Sequence, residues 1–82
     1  MKGKMSALHK LFIDNIDDCR VTLEVVGTTY VFTFNYEIDG ALYTVKYELT
    51  EAQALKETLQ TLYHNIRAIV TNELLNLISE DI

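Results

Sequence analysis

Three groupings of side chains in this 82-residue sequence have the types that catalysis or metal binding uses. The first is Asp14-Asn15-Ile16-Asp17-Asp18, a dense run of carboxylates. A calcium loop needs oxygen ligands at alternating positions, a glycine for its sharp turn and a distal bidentate glutamate. No glycine stands at that offset and Ile16 interrupts the run, so a solvated connection is expected rather than a metal site. The second is Cys19 with His9 or His64, a thiol and imidazole of the kind that nucleophilic catalysis pairs. Nothing in the spacing brings them together, and Cys19 falls on a strand face expected to be buried, where a thiol is inert. The third is Glu24 and Glu48. They are expected to flank a central strand at about 10 Å, too far apart for most paired carboxylates in glycoside hydrolysis. Gly3, Gly27 and Gly40 are isolated, so no phosphate-cradling loop exists. No catalytic residue, metal or cofactor is expected.

The elements that position these groups follow from periodicity. From Cys19 to Leu49 apolar and polar residues alternate, which is the strand period. Two turn signals interrupt the alternation. Asp39-Gly40 suits a type I′ hairpin, and Gly27-Thr28 places glycine where a type II′ turn needs it. Strands over about 19–26, 29–38 and 41–49 then pair in defined registers. Tyr36 faces Tyr43, Phe34 faces Val45 and Phe32 faces Tyr47; Val21 faces Phe34, Leu23 faces Phe32 and Cys19 faces Tyr36. Both hairpins put their aromatic and aliphatic residues on one side, and a one-residue slip in either would throw them to the other. Arg20, Thr22, Glu24, Val31, Thr33, Asn35, Thr44, Lys46 and Glu48 form the opposite, solvated face.

Met5, Leu8, Leu11, Phe12 and Ile16 fall at helical spacing, which predicts a helix from about residue 5, with Ser6 as cap, ending by Asn15. Thr50-Glu51-Ala52-Gln53 fits a capping box. A long helix is predicted from 51 to 70, its stripe formed by Leu55, Leu59, Leu62, Tyr63, Ile66, Ile69 and Val70. Continuing it would carry Glu73 into the stripe begun by Leu55, so a break is predicted near 71–72, followed by a short helix to about 80. The fold expected is a single α+β domain over 1–82: a three-stranded antiparallel meander with an N-terminal and a long C-terminal helix on one face, αβββα. Leu74, Leu75, Leu77 and Ile78 exceed what such a sheet can cover and must fold back or find another chain; these residues, or an open strand edge, are expected to pair two copies in a homodimer.

Lys and Arg number 7 against 12 Asp and Glu, a net charge of −5. Lys2, Lys4 and Lys10 stand at the start, so the body is more acidic than the total. Direct nucleic-acid or anionic-membrane binding is not expected, because both rest on clustered basic residues. With one cysteine and no apolar run of membrane-spanning length, a cytoplasmic location is expected.

The αβββα order resembles the double-stranded RNA-binding domain. That family's RNA contact uses basic residues at the start of its second helix, where this sequence reads Thr50-Glu51-Ala52-Gln53-Ala54-Leu55-Lys56-Glu57; RNA binding does not carry over. In size and charge the chain is similar to small acidic phage inhibitors, including some anti-CRISPR proteins, which present carboxylates where phosphates would lie. The function expected is a non-catalytic binding module that docks on a basic, nucleic-acid-handling protein. Its contacts would be Glu24, Glu37, Asp39 and Glu48 on the sheet, with Asp14, Asp17 and Asp18 at its edge. The alternative is a structural homo-oligomer.

Overall fold

A computed structural model describes residues 2–81. Alternation between Cys19 and Thr50 becomes three antiparallel strands, β1 (Cys19–Val26), β2 (Thr29–Ile38) and β3 (Ala41–Thr50), in the order β1-β2-β3. Asp39 and Gly40 both take positive φ, 50° and 81°, as a type I′ turn requires. At the other hairpin only Gly27 does, at 62°, the pattern of a type II′ turn. The pairings are those read from the turns, from Cys19–Tyr36 to Val26–Thr29 and from Thr29–Thr50 to Ile38–Ala41.

The first helix, α1 (Lys2–Asn15), starts earlier than predicted and contains Ser6 in its interior. It lies against β1, and the C-terminal helix lies against β3; the two helices touch each other over the sheet. Between them Phe12, Phe32, Phe34, Leu8, Met5, Leu49, Leu62, Ile66 and Val70 lose essentially all contact with water. The Phe12 ring centre is 5.0 Å from Phe34 and 5.5 Å from Phe32, both edge-on, and 5.4 Å from Tyr63 in a stacked pair. One ring thus ties α1 to the central strand and to the last helix. Val25, one pair from the Gly27–Thr28 turn, shares this face but remains 58% exposed.

The helical half differs from expectation in where it breaks. A short helix, α2 (Glu51–Lys56), ends at Glu57, and α3 (Leu59–Glu80) then runs without interruption through Thr71 and Asn72. Thr50 caps α2, its hydroxyl oxygen accepting the Gln53 N–H at 3.2 Å. Gln53 answers by accepting from that hydroxyl at 3.4 Å, not by reaching the Thr50 backbone. Thr58 repeats the device for α3, accepting the Thr61 N–H at 3.2 Å. The Lys4 ammonium donates to the Ala54 and Glu57 carbonyls, covering acceptors that the end of α2 would leave bare.

The break at Glu57-Thr58 resets the helical phase. Leu55 belongs to the short helix and is 66% exposed, so it does not begin the stripe of α3. Counted from Leu59, the stripe passes through Leu62, Tyr63, Ile66, Val70 and Leu74, and Glu73 falls on its exposed flank. Ile69, expected within the stripe, is exposed beside the β3 edge. The final residues continue over the chain's own sheet: Leu74 is buried, and Leu77 and Ile78 pack against the core.

Removing the cap at the observed break should cost more than altering the predicted one. Thr58→Ala is expected to lower unfolding stability by about 1 kcal/mol, and Thr71→Ala by less than about 0.5 kcal/mol. Urea denaturation of both variants checks this; equal effects would contradict the break at 57–58.

Candidate functional site

The end of the sheet that carries the Asp39-Gly40 turn collects carboxylates from separate parts of the chain. Asp39 is fixed there by the type I′ turn. After α1, Asp17 and Asp18 turn the chain into β1, with Asp18 in the left-handed region at φ 53°. The Glu37 N–H donates to the Asp18 carbonyl at 3.1 Å, locking this connection beside the last residues of β2. At the far end of α3 the Asp81 carboxylate accepts the Tyr43 hydroxyl at 2.9 Å. Asp18, Glu37 and Asp39 line one shallow hollow with Arg20, Asn35, Leu42 and Cys19. Arg20 is the basic side chain of that hollow.

Asp14 is the penultimate residue of α1 and is bridged to Lys10 at 3.4 Å, an exposed i,i+4 pair worth about 0.3–0.5 kcal/mol. Glu24 and Glu48 are not part of this end. Both pair with Val31, which lies six residues along β2 from Glu37, about 20 Å away. They stand on either side of Val31 on the outer face, and the structure brings them near neither each other nor the turn. All seven expected acidic contacts are exposed. Asp14, Asp17, Asp18, Glu37 and Asp39 gather at one end; Glu24 and Glu48 do not.

The carboxylates act on their neighbours. The Tyr43 hydroxyl is raised above its ordinary range chiefly by its bond to Asp81, with the charge of Asp39 adding to the effect. Asp81 was not among the expected contacts, because its position depends on α3 running straight to residue 80. Thr44 on β3 donates to the Asn35 side chain at 2.9 Å, a neutral cross-strand link on the outer face.

The thiol–imidazole pairing does not form. Cys19 is half-buried opposite Tyr36, and burial pushes its thiol up, only partly offset by hydrogen bonding with Tyr36 and the Asn35 backbone. His9 donates from Nε2 to the Val21 carbonyl at 2.8 Å. With Val26–Thr29 closing the hairpin, Val21 is a non-hydrogen-bonded position whose backbone points away from β2. The imidazole therefore covers part of the open β1 edge. His64 is exposed on α3, edge-on to Tyr63 at 5.3 Å. Arg67 donates to the Tyr63 hydroxyl at 2.6 Å and to the Asn15 carbonyl at 3.2 Å, clasping α3 to the end of α1. Among the described residues no three His, Cys, Asp or Glu side chains are grouped so that they would hold a metal ion. No described helix is long and apolar enough to cross a membrane.

Comparison with known protein families, with characterised proteins and with solved structures gives no match in any of the three.

The Tyr36 hydroxyl, beneath the same end of the sheet, is pushed up to about 12, first by burial and then by the adjacent Cys19. An unfolded tyrosine titrates near 10. The folded chain therefore holds this proton more tightly, and its contribution to stability is complete below about pH 10 and is lost as pH rises to about 12. Urea unfolding across this range should show a shallower loss of stability in Tyr36→Phe than in wild type. Identical slopes would contradict the assignment.

Proposed function

We propose that this protein is a small acidic, non-catalytic module that docks on a basic surface of another protein. The observation that carries the reading is the convergence of Asp17, Asp18, Glu37, Asp39 and Asp81 on one end of the sheet, from segments far apart in sequence. Carboxylates held by turns and a helix end are already oriented, so docking orders few side chains and loses little entropy. A basic partner is drawn in by the long-range field of the negative chain, and the same field opposes nucleic acid and anionic lipid.

Proteins that handle nucleic acid carry such basic surfaces, and carboxylates seated on them occupy the place of phosphates. The role that fits is therefore an inhibitor of the DNA-mimic kind, as some phage anti-CRISPR proteins are, acting in the cytoplasm. The outer sheet face contributes polar side chains around this end, and Glu24 and Glu48 lie too far along the sheet to share one small contact with it.

The test is to recover the partner by affinity purification from the native host and to titrate the complex with salt. Affinity should fall steeply between about 50 and 500 mM salt, as the Debye length shortens to a few Å. Neutralising the end with Asp18→Asn, Glu37→Gln and Asp39→Asn should weaken binding by at least about tenfold. Asn tolerates the left-handed backbone at both aspartate positions, so the turns survive. Glu24→Gln with Glu48→Gln should leave affinity within about twofold. Binding indifferent to salt and to the triple substitution would overturn the proposal.

A further inference from the structure

The free edge of β1 carries a row of hydrogen-bonding groups. Val26–Thr29 flanks a two-residue turn, so the even-numbered residues of β1 bond to β2. Cys19, Val21, Leu23 and Val25 therefore direct their N–H and C=O groups away from the sheet. Among the described residues, the Val21 carbonyl is the member of this row that has a partner, His9. Backbone groups spaced in this way are matched by another extended strand. Apolar surface lies beside them. Val25 is 58% exposed on the inner face, and Ile13, one turn from His9 on the same flank of α1, is 52% exposed.

The charges of β1 select a second copy of the same strand. In an antiparallel pair of β1 strands, outward-directed residues must oppose one another. Two registers then keep the greatest overlap. One sets Leu23 opposite Leu23 of the second copy, and leaves Glu24 against Thr22 and Arg20 against Val26. The other sets Thr22 opposite Thr22, and Arg20 falls against Glu24 of the second copy, twice by symmetry. Opposite charges facing each other across a strand pair are favourable, as are paired threonines.

We infer that β1 pairs antiparallel with β1 of a second copy in this register, forming one six-stranded sheet about a two-fold axis at Thr22. On the inner face Val21 meets Leu23, and Cys19 meets Val25, of the other chain. The axis set by the charges also passes Ile13. Phe12 lies against Phe32 and Phe34, which pair with Leu23 and Val21, so Ile13 is level with Thr22 and meets its own copy beneath the seam. The Val21 carbonyl keeps a second lone pair, beside the His9 bond, for the incoming Leu23 N–H. The β3 edge does not offer the same contact. Glu73 stands beside Thr44, Lys46 and Tyr47, so a two-fold axis there would bring two copies of that carboxylate together. Pairing at β1 engages Arg20, the basic side chain of the acidic hollow, and leaves the two acidic ends free.

The native Cys19 makes the register readable. Val25→Cys places a thiol opposite Cys19 of the other copy, with Cα atoms about 5.5 Å apart, within disulfide reach. Within one chain the two positions are about 20 Å apart along the strand. Mild oxidation of this variant should give a covalent dimer on a denaturing, non-reducing gel, and Val25→Cys combined with Cys19→Ser should run as a monomer. In sedimentation equilibrium at up to about 1 mM the wild-type chain should be dimeric. Arg20→Glu and Glu24→Arg should each weaken dimerisation at least about tenfold, with unchanged circular dichroism, and the two together should restore it. A wild-type monomer at the highest concentration would overturn the inference. So would cross-linking that survives loss of Cys19, or charge reversals that fail to rescue each other. None of these outcomes bears on the salt-sensitive partner contact.

Discussion

The structure depends on one constraint: the rings on the inner face of β2 must be covered by helices at both ends of the chain. Phe32 and Phe34 project from the central strand, and Phe12 reaches both from α1 while stacking on Tyr63 of α3. A small sheet needs its apolar face covered to be stable in water, and α1 and α3 bury their stripes on that face and on each other. Burial at about 25 cal/mol per Å² makes large aromatic side chains the main favourable contribution in so small a core. Everything polar is arranged around that requirement.

With the odd-numbered positions of β1 and β3 and the even-numbered positions of β2 committed inward, the alternate positions form the outer face, and the turns fall at the two ends of the sheet. The return of α1 into β1 and the turn from β2 into β3 occur at the same end. Their acids therefore gather there without any direct attraction between them. The bond from the Glu37 N–H to the Asp18 carbonyl and the Tyr43–Asp81 contact hold the assembly together. Carboxylates in one place repel one another, and the cost is kept small by leaving them exposed, where water screens them.

Strand limits and registers were legible because the period of two and two turn dipeptides agreed on one buried face; a wrong register at either hairpin would have exposed phenylalanines. The helical half was legible in kind but not in phase. Leu55 has the right spacing to begin the stripe of α3, and only the cap at Thr58 and the Lys4 ammonium on the α2 carbonyls separate the two helices. That separation is a tertiary matter, since Lys4 comes from the opposite end of the chain. The same holds for the acidic end. Asp17, Asp18, Glu37 and Asp39 were visible individually, but Asp81 joins them only once α3 runs straight, and Glu24 and Glu48 drop out once distances along the sheet are counted.

The most direct test of the account is nuclear magnetic resonance of the aromatic and methyl protons with a soluble paramagnetic agent. The account predicts Overhauser contacts from the Phe12 ring to Phe32, Phe34 and Tyr63, with those rings shielded and the Thr22 and Thr44 methyl protons strongly relaxed. Relaxation of the Phe32 and Phe34 rings by the agent, or shielding of the threonine methyl groups, would contradict it.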